Sequence, residues 1–244
     1  MYSSGVSQRL SSTMGKLFTA LMLIGLAGAQ APDPPDPKSD SAIEPLPLST
    51  TKDDNHMFKV VPNYMTVNQP QAFEPLTPGQ KFIQANHDTF DPFNWVIAGV
   101  YAGVYQWQHD YPQWGQGGAA YAKRYGATFA DGAISTYLSE GVLPTLLHED
   151  PRYFRLGEGS KWHRIAYAMS RVLITKTDRG TSRFNNSEIE GNLMAAALGN
   201  LYNPSLNRTA SYTFAKFGIN VISDAGFNVL REFYPDMRHK VLHR

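Results

Sequence analysis

From Thr77 onward apolar residues recur at spacings of three and four, the pattern of helices that bury one face. Residues 160–175 show it plainly, with Trp162, Ile165, Ala166, Met169 and Leu173 on one stripe. Boundary signals agree with the pattern. Thr77-Pro78 and Asp91-Pro92 each read as an N-cap followed by proline at the first helical position, and Asp150-Pro151 repeats the signal. Ser187-Glu188-Ile189-Glu190 fits a capping box. Spacing and caps together predict helices over about 78–89, 92–109, 116–141, 144–148, 151–156, 160–175, 187–202 and 206–234.

Two segments carry a second pattern. Phe93, Trp95, Ile97, Gly99, Tyr101, Gly103, Tyr105 and Trp107 alternate with period two, and Phe217, Ile219, Val221, Ala225, Phe227 and Val229 nearly do. Alternation with aromatic ends marks a strand of an outer-membrane β-barrel. Both segments exceed the roughly 9–11 residues of such a strand, and turn signals are sparse, so the helical reading is preferred and the barrel stays an alternative.

Small residues also recur at helical spacing. Gly118, Ala122, Gly126 and Ala130 fall four apart, as do Gly99 and Gly103, and Ala195 and Gly199. On a helix such a row is a packing surface for another backbone, within a bundle or in association on a membrane. No stretch after the N-terminal region reaches the ~18 uninterrupted apolar residues of a membrane span, which leaves a helix lying in the interface.

The N-terminal part differs in kind. Arg9 and Lys16 precede an apolar run over residues 17–26, and Ala27-Gly28-Ala29 supplies the small residues of a cleavage site. This is the layout of a secretory signal peptide, with a mature chain expected from Gln30. Residues 30–55 are rich in Pro, Asp and Ser and cannot bury a core. The expected organisation is a signal peptide over 1–29, a Pro-rich linker and extended lead-in over 30–75, a helical domain over 76–238 and a basic tail over 239–244. The chain contains no cysteine, which excludes disulfides, thiolate chemistry and a lipoprotein anchor.

Charge narrows the partners. With 22 Lys and Arg against 21 Asp and Glu, the net charge of +1 argues against a nucleic-acid binder. The balance is local rather than uniform: Arg152, Arg155, Lys161, Arg164, Arg171, Lys176, Arg179 and Arg183 face only Glu149, Asp150, Glu158 and Asp178 in that stretch. Arg152, Arg155, Arg164 and Arg171 are the candidates for contact with an anionic membrane surface or envelope polymer.

Catalytic signatures are scarce. There is no Gly-x-Ser-x-Gly elbow, no His-Glu-x-x-His and no phosphate-binding glycine loop. His148-Glu149-Asp150 is the densest group of side chains suited to acid–base work, with Asp178 and His163 as further members. Helix capping is the better explanation of Asp150, before Pro151, and also accounts for His148 at the end of the preceding helix. Asp131, within a run of small residues, calls for a buried cationic partner such as Arg124 or Arg171. No set of residues points to a metal or a cofactor.

The segments AAYAKRYGATFADGA (119–133), LPTLLHEDPRYFRLGEGS (143–160), RFNNSE (183–188) and FNVLREFYPD (227–236) resemble a family of uncharacterised exported bacterial proteins. The resemblance covers roughly residues 75–236 and implies a single domain from a bacterial source, without assigning an activity. Pattern and resemblance together lead to one mostly α-helical bundle domain behind a signal peptide and Pro-rich linker. The expected role is a non-enzymatic protein of the periplasm or outer membrane that associates with the membrane or with itself. The alternative is an envelope hydrolase centred on His148, Glu149 and Asp150.

Overall fold

The computed structural model describes residues 56–57, 61–63, 65–68 and 73–242. The expected signal peptide and the linker over 30–55 lie outside the described residues. The domain is mostly α-helical, and its first two helices start where the sequence marks them. Helix α1 (Pro78–Thr89) opens on Thr77, whose backbone N–H donates to Gln80 Oε1 at 2.8 Å while its hydroxyl accepts from the Gln80 N–H. Helix α2 (Pro92–Trp107) opens on Asp91, whose carboxylate accepts from the Phe93 N–H at 2.8 Å.

Helix α3 (Gly118–Thr136) runs without a break into a π-helical turn (Tyr137–Val142) and then α4 (Leu143–Leu147). Pro144 explains the widening. Inside a helix its ring collides with the carbonyl four residues back, that of Glu140, and it has no N–H to offer. The chain responds with wider bonds, and the Leu143 N–H reaches Leu138 O, five residues back. Helices α5 (Lys161–Ser170), α6 (Asn186–Leu198) and α7 (Ala210–Leu242) complete the set. Both alternating segments are helical, within α2 and α7, and this does not favour a β-barrel.

The described strands are short. β1 (His56–Met57) pairs antiparallel with β2 (Val61–Pro62). β3 (Thr66–Asn68) runs parallel to β5 (Tyr153–Arg155), with Val67 opposite Phe154. β4 (Glu149–Asp150), β6 (Ile174–Thr177) and β7 (Ser182–Phe184) form an antiparallel sheet. Met57 and Met65 are buried, so the lead-in before residue 76 contributes to the core.

Three expected helices are corrected. Residues 151–156 form no helix: Asp150 is held in a strand and spends its carboxylate on Arg152, whose Nε and Nη2 donate to it at 2.9 and 2.6 Å. The helix expected over 160–175 ends at Ser170, because the β-branched run from Ile174 pairs with β7. The last helix starts at Ala210 and continues past Pro235 to Leu242, into the expected basic tail. One turn before Pro235, the Glu232 carbonyl accepts from Arg155 Nε at 2.9 Å and Arg164 Nη2 at 2.8 Å, which braces the helix where proline removes a donor.

α2 packs on α3, α1 and α6 pack on the π turn, and α5 and α6 pack on α7. Val172, Ala196, Phe217, Val221 and Ala225 form one apolar cluster, with Ile189 and Leu193 against it. The interior also holds charged side chains. Arg124, Lys81, Glu149, Glu232 and Asp150 are among the largest fully buried side chains, where such residues are rare unless paired. Conversely, α2 turns Ala98 and Ala102 inward and leaves Val96, Val100 and Trp107 exposed at 64%, 56% and 79%. Helix α6 repeats this, burying Gly191, Ala195 and Ala196 and exposing Met194 and Leu198.

Gly191 lets α6 approach the backbone of the π turn closely. A Cβ there would stand 2.9 Å from both Cα and N of Ser139 in the π turn. The row Gly118, Ala122, Gly126 and Ala130 behaves differently. Its first three members are exposed, and nothing lies within 4 Å of a Cβ placed at Gly118 or Gly126, so among the described residues this row is not a packing surface.

Candidate functional site

A cavity of about 290 Å³ lies between α1, α2, α3, the π turn, α6 and α7. One wall carries four carboxyl groups: Asp88 at the end of α1, Glu140 on the π turn, Glu188 in the first turn of α6 and Asp224 in the middle of α7. A single guanidinium, Arg231, accompanies them. Asn192 ties two of the acids together, its Nδ2 donating to Glu188 Oε1 at 3.0 Å and to Asp224 Oδ2 at 3.2 Å. Its Oδ1 accepts from Ser135 Oγ at 2.5 Å.

Burial is the first cause of how these acids titrate. It raises Asp88 and Asp224 above the ordinary carboxylate range, with Arg231 opposing. It raises Glu140 and Glu188 well above theirs, and the neighbouring aspartate of each pair adds to the effect. The physical picture is two acid pairs, Glu140 with Asp88 and Glu188 with Asp224, each sharing a proton because adjacent buried charges of one sign repel. Thr89 Oγ1, Glu140 Oε2 and Arg231 Nε are buried at this wall without a hydrogen-bond partner.

A second wall is basic and comprises Arg152, Arg171 and Lys176. Arg152 is neutralised by Asp150. Arg171 has no carboxylate partner among the described residues. Its guanidinium stacks on the Tyr167 ring at 4.4 Å, its Nη2 makes a long contact of 3.4 Å to Ser170 Oγ, and its Nε is buried without a partner. Burial lowers its pKa. Lys176 Nζ sits over the Phe154 ring at 4.2 Å. Burial lowers its pKa too, opposed by Asp150 and assisted by Arg171 and Arg152. Between the walls lie aromatic rings, including Phe93 and Phe227, edge to face at 6.3 Å.

No family model, curated protein or solved structure matches the chain. Function therefore rests on the placement of its own residues. Among the described residues, no three His, Asp or Glu side chains converge in a way that could hold a metal ion.

The residues singled out in the sequence meet only in part. His148 ends α4 in the left-handed conformation (φ 54°), is 82% exposed, and stands 3.7 Å from Asp178. Asp178 is occupied by the buried Lys81, whose Nζ donates to its two oxygens at 2.8 and 3.1 Å. Glu149 faces elsewhere. It accepts from the Ser187 N–H at 2.8 Å and the Ser187 hydroxyl at 2.5 Å, and pairs with Arg183 Nε at 3.1 Å. It therefore anchors the start of α6. His163 is exposed on α5, and Tyr167 spends its hydroxyl on the Phe154 carbonyl at 2.7 Å. The His148, Glu149 and Asp178 groups do not form one constellation.

Two of the four candidate arginines also serve the interior. Arg155 pairs with Asp236 at 3.0 Å. Arg164 pairs with Glu232 at 2.7 Å and Asp236 at 2.5 Å, and lies over the Phe233 ring. Asp131 does have a buried cation, but it is Lys216 rather than Arg124 or Arg171, and Tyr202 Oη adds a hydrogen bond at 2.5 Å. Arg124 is satisfied by backbone carbonyls of Asp110 and Tyr111. Of the sequence candidates, Asp131, Arg152 and Arg171 line the cavity. The four acids were missed. Their only trace is a carboxylate amid small residues in a helical segment, as in Ser139-Glu140-Gly141 and Ser223-Asp224-Ala225-Gly226.

Proposed function

We propose that the chain is a non-enzymatic, membrane-associated protein of the bacterial envelope, exported by its N-terminal segment, whose apolar outer surface rests in lipid. The observation that carries this is the inverted arrangement of α2 and α6, small residues inward and large apolar ones outward, around a charged interior. Water penalises that arrangement and a lipid phase does not. Helix α2 has no charged residue in its 16 positions, and Trp95 and Trp107 stand exposed near its ends, as interfacial tryptophans do. Exposed apolar residues are shared among several helices, including Phe82 and Ile83 on α1 and Phe214 on α7. A second copy would cover one patch, whereas lipid covers all of them. No described helix is long and apolar enough to cross a membrane, so the association proposed is interfacial.

The test is flotation with vesicles of phosphatidylethanolamine and phosphatidylglycerol. The parent chain floats with the vesicles, and Val96→Glu combined with Val100→Glu abolishes flotation while circular dichroism is unchanged. A parent chain that stays in the aqueous fraction as a monomer overturns the reading. One that stays there as a defined dimer replaces it with self-association. Charge reversal at Arg164 is a poor probe, because that side chain is buried against Glu232.

A further inference from the structure

We propose that the interior cavity binds a small zwitterion, with its ammonium group at the Asp88, Glu140, Glu188 and Asp224 wall and its oxyanion, phosphate or carboxylate, on Arg171 and Lys176. This does not depend on lipid contact at the outer surface.

Apart from Asp131 and Lys216, which pair with each other, charge on the cavity wall is segregated. Four carboxyl groups stand against Arg231 alone at one side. Arg152, Arg171 and Lys176 stand against Asp150 alone at the other. Asp150 is consumed by Arg152, so neither Arg171 nor Lys176 donates a described hydrogen bond to a carboxylate. A half-buried guanidinium whose Nε is buried without a partner is costly, and a ligand oxyanion would supply the missing partner. At the acidic wall, four buried carboxyl groups crowd beside one guanidinium. A ligand ammonium would supply positive charge there and leave the carboxylates ionised.

Orphaned polar atoms mark both places. Thr89, 3% exposed and on the cavity wall, has no partner for its hydroxyl, and Arg171 has none for Nε. An acidic cluster that served only the fold would be expected to satisfy its neighbours. Phe93 and Phe227 offer ring faces and edges beside the acids, suited to the methylene groups next to an ammonium. The volume of about 290 Å³ is at the small end for ligand pockets, which suits a compact molecule rather than an acyl chain or a peptide.

The experiment is isothermal titration of the full chain with O-phosphoethanolamine and with 4-aminobutyrate, beside the half-molecules ethanolamine, inorganic phosphate and butyrate. At least one zwitterion binds about tenfold or more tightly than either of its halves, as two charge-assisted contacts require. Which zwitterion binds tells whether the oxyanion is phosphate or carboxylate. Glu188→Gln keeps the Asn192 contact sterically and weakens the zwitterion without changing the response to the anionic half. Lys176→Met and Arg171→Gln do the reverse, with circular dichroism confirming the fold, and Thr89→Val serves as a milder variant at the acidic wall. Binding of neither zwitterion, a half-molecule binding as tightly as the whole, or variants at both walls without effect each overturn the proposal.

Discussion

Glu232 offers the sharpest test of how the fold is held. Its side chain is fully buried on α7, and its two oxygens receive four hydrogen bonds. Oε1 accepts from Arg164 Nε at 2.7 Å and the Gly157 N–H at 2.9 Å. Oε2 accepts from the Tyr153 hydroxyl at 2.7 Å and the Leu156 N–H at 3.0 Å. Glu232→Gln preserves shape and replaces one acceptor by an NH2 group. With the NH2 at the Oε1 position, Arg164 Nε and the Gly157 N–H lose their acceptor. At the Oε2 position the Leu156 N–H does, while the Tyr153 hydroxyl can turn to accept. Either way Arg164 keeps a buried charge with Asp236 as its remaining anion. Breaking a buried pair in this way costs about 3–5 kcal/mol. For a domain of this size that is a fall in Tm of about 6–20 °C. The assay is urea unfolding followed by circular dichroism, with the midpoint converted through the m value. Adding Arg164→Met to Glu232→Met should recover part of the loss, since no buried guanidinium is then stranded. A Glu232→Gln variant within about 1 kcal/mol of the parent would falsify the claim that this carboxylate clamps α7 to residues 153–164.

Gly191→Ala should cost about 1–3 kcal/mol in the same assay, because its Cβ would meet backbone atoms of Ser139 at 2.9 Å, and backbone cannot step aside. Gly126→Ala, with open space at its Cβ, should instead be neutral or stabilising by up to about 1 kcal/mol. Equal effects at the two sites would refute the distinction drawn between them. Lys81→Met leaves Asp178 without the ammonium now 2.8 Å away, and half-buried as it is, the carboxylate should lower Tm measurably while Lys81→Arg does so less. The acid wall predicts a pH dependence. Raised native pKa values of Glu140 and Glu188 mean that the native state binds more protons than the unfolded one above their ordinary value of 4.5. Their stabilising contribution is therefore complete below that value and is lost as pH rises through the raised native values. The Tm of Glu140→Gln/Glu188→Gln minus that of the parent should grow from about pH 4.5 to about pH 7.5, and a constant difference would sink the shared-proton picture.

Local chemistry made part of the fold legible. Thr77-Pro78 and Asp91-Pro92 begin helices because their signal is complete within four residues. Asp150-Pro151 carries the same signal and fails, because Asp150 has Arg152 two residues on and a strand partner more than twenty residues away at Lys176. The capping box at Ser187 is displaced for a similar reason. Asn185 caps α6 by accepting from the Glu188 N–H at 3.1 Å, while Ser187 is taken by Glu149. The small-residue rows were visible but their direction was not, since spacing cannot tell an inward face from an outward one when neither is charged. The cavity was hidden for a different reason. Asp88, Glu140, Glu188 and Asp224 come from four separate elements, and what unites them is a chain path that no local pattern encodes. Arg171, picked for its charge, proved to line that cavity.

The π turn has a consequence for how the chain tolerates change in length. Each residue of an α-helix turns the chain by about 100°. The turn over Tyr137–Val142 holds a residue more than the α-helical register would admit, and Glu140 and Ser139 face the cavity and Gly191 in that setting. Deleting one residue here would splice α3 directly into α4 with both flanks still in phase, and the change would fall on the turn itself, taking Glu140 away from its aspartate. Replacing a residue in the same stretch leaves the phase untouched. The segment is thus a reading frame in miniature, more sensitive to the number of its residues than to most of their identities.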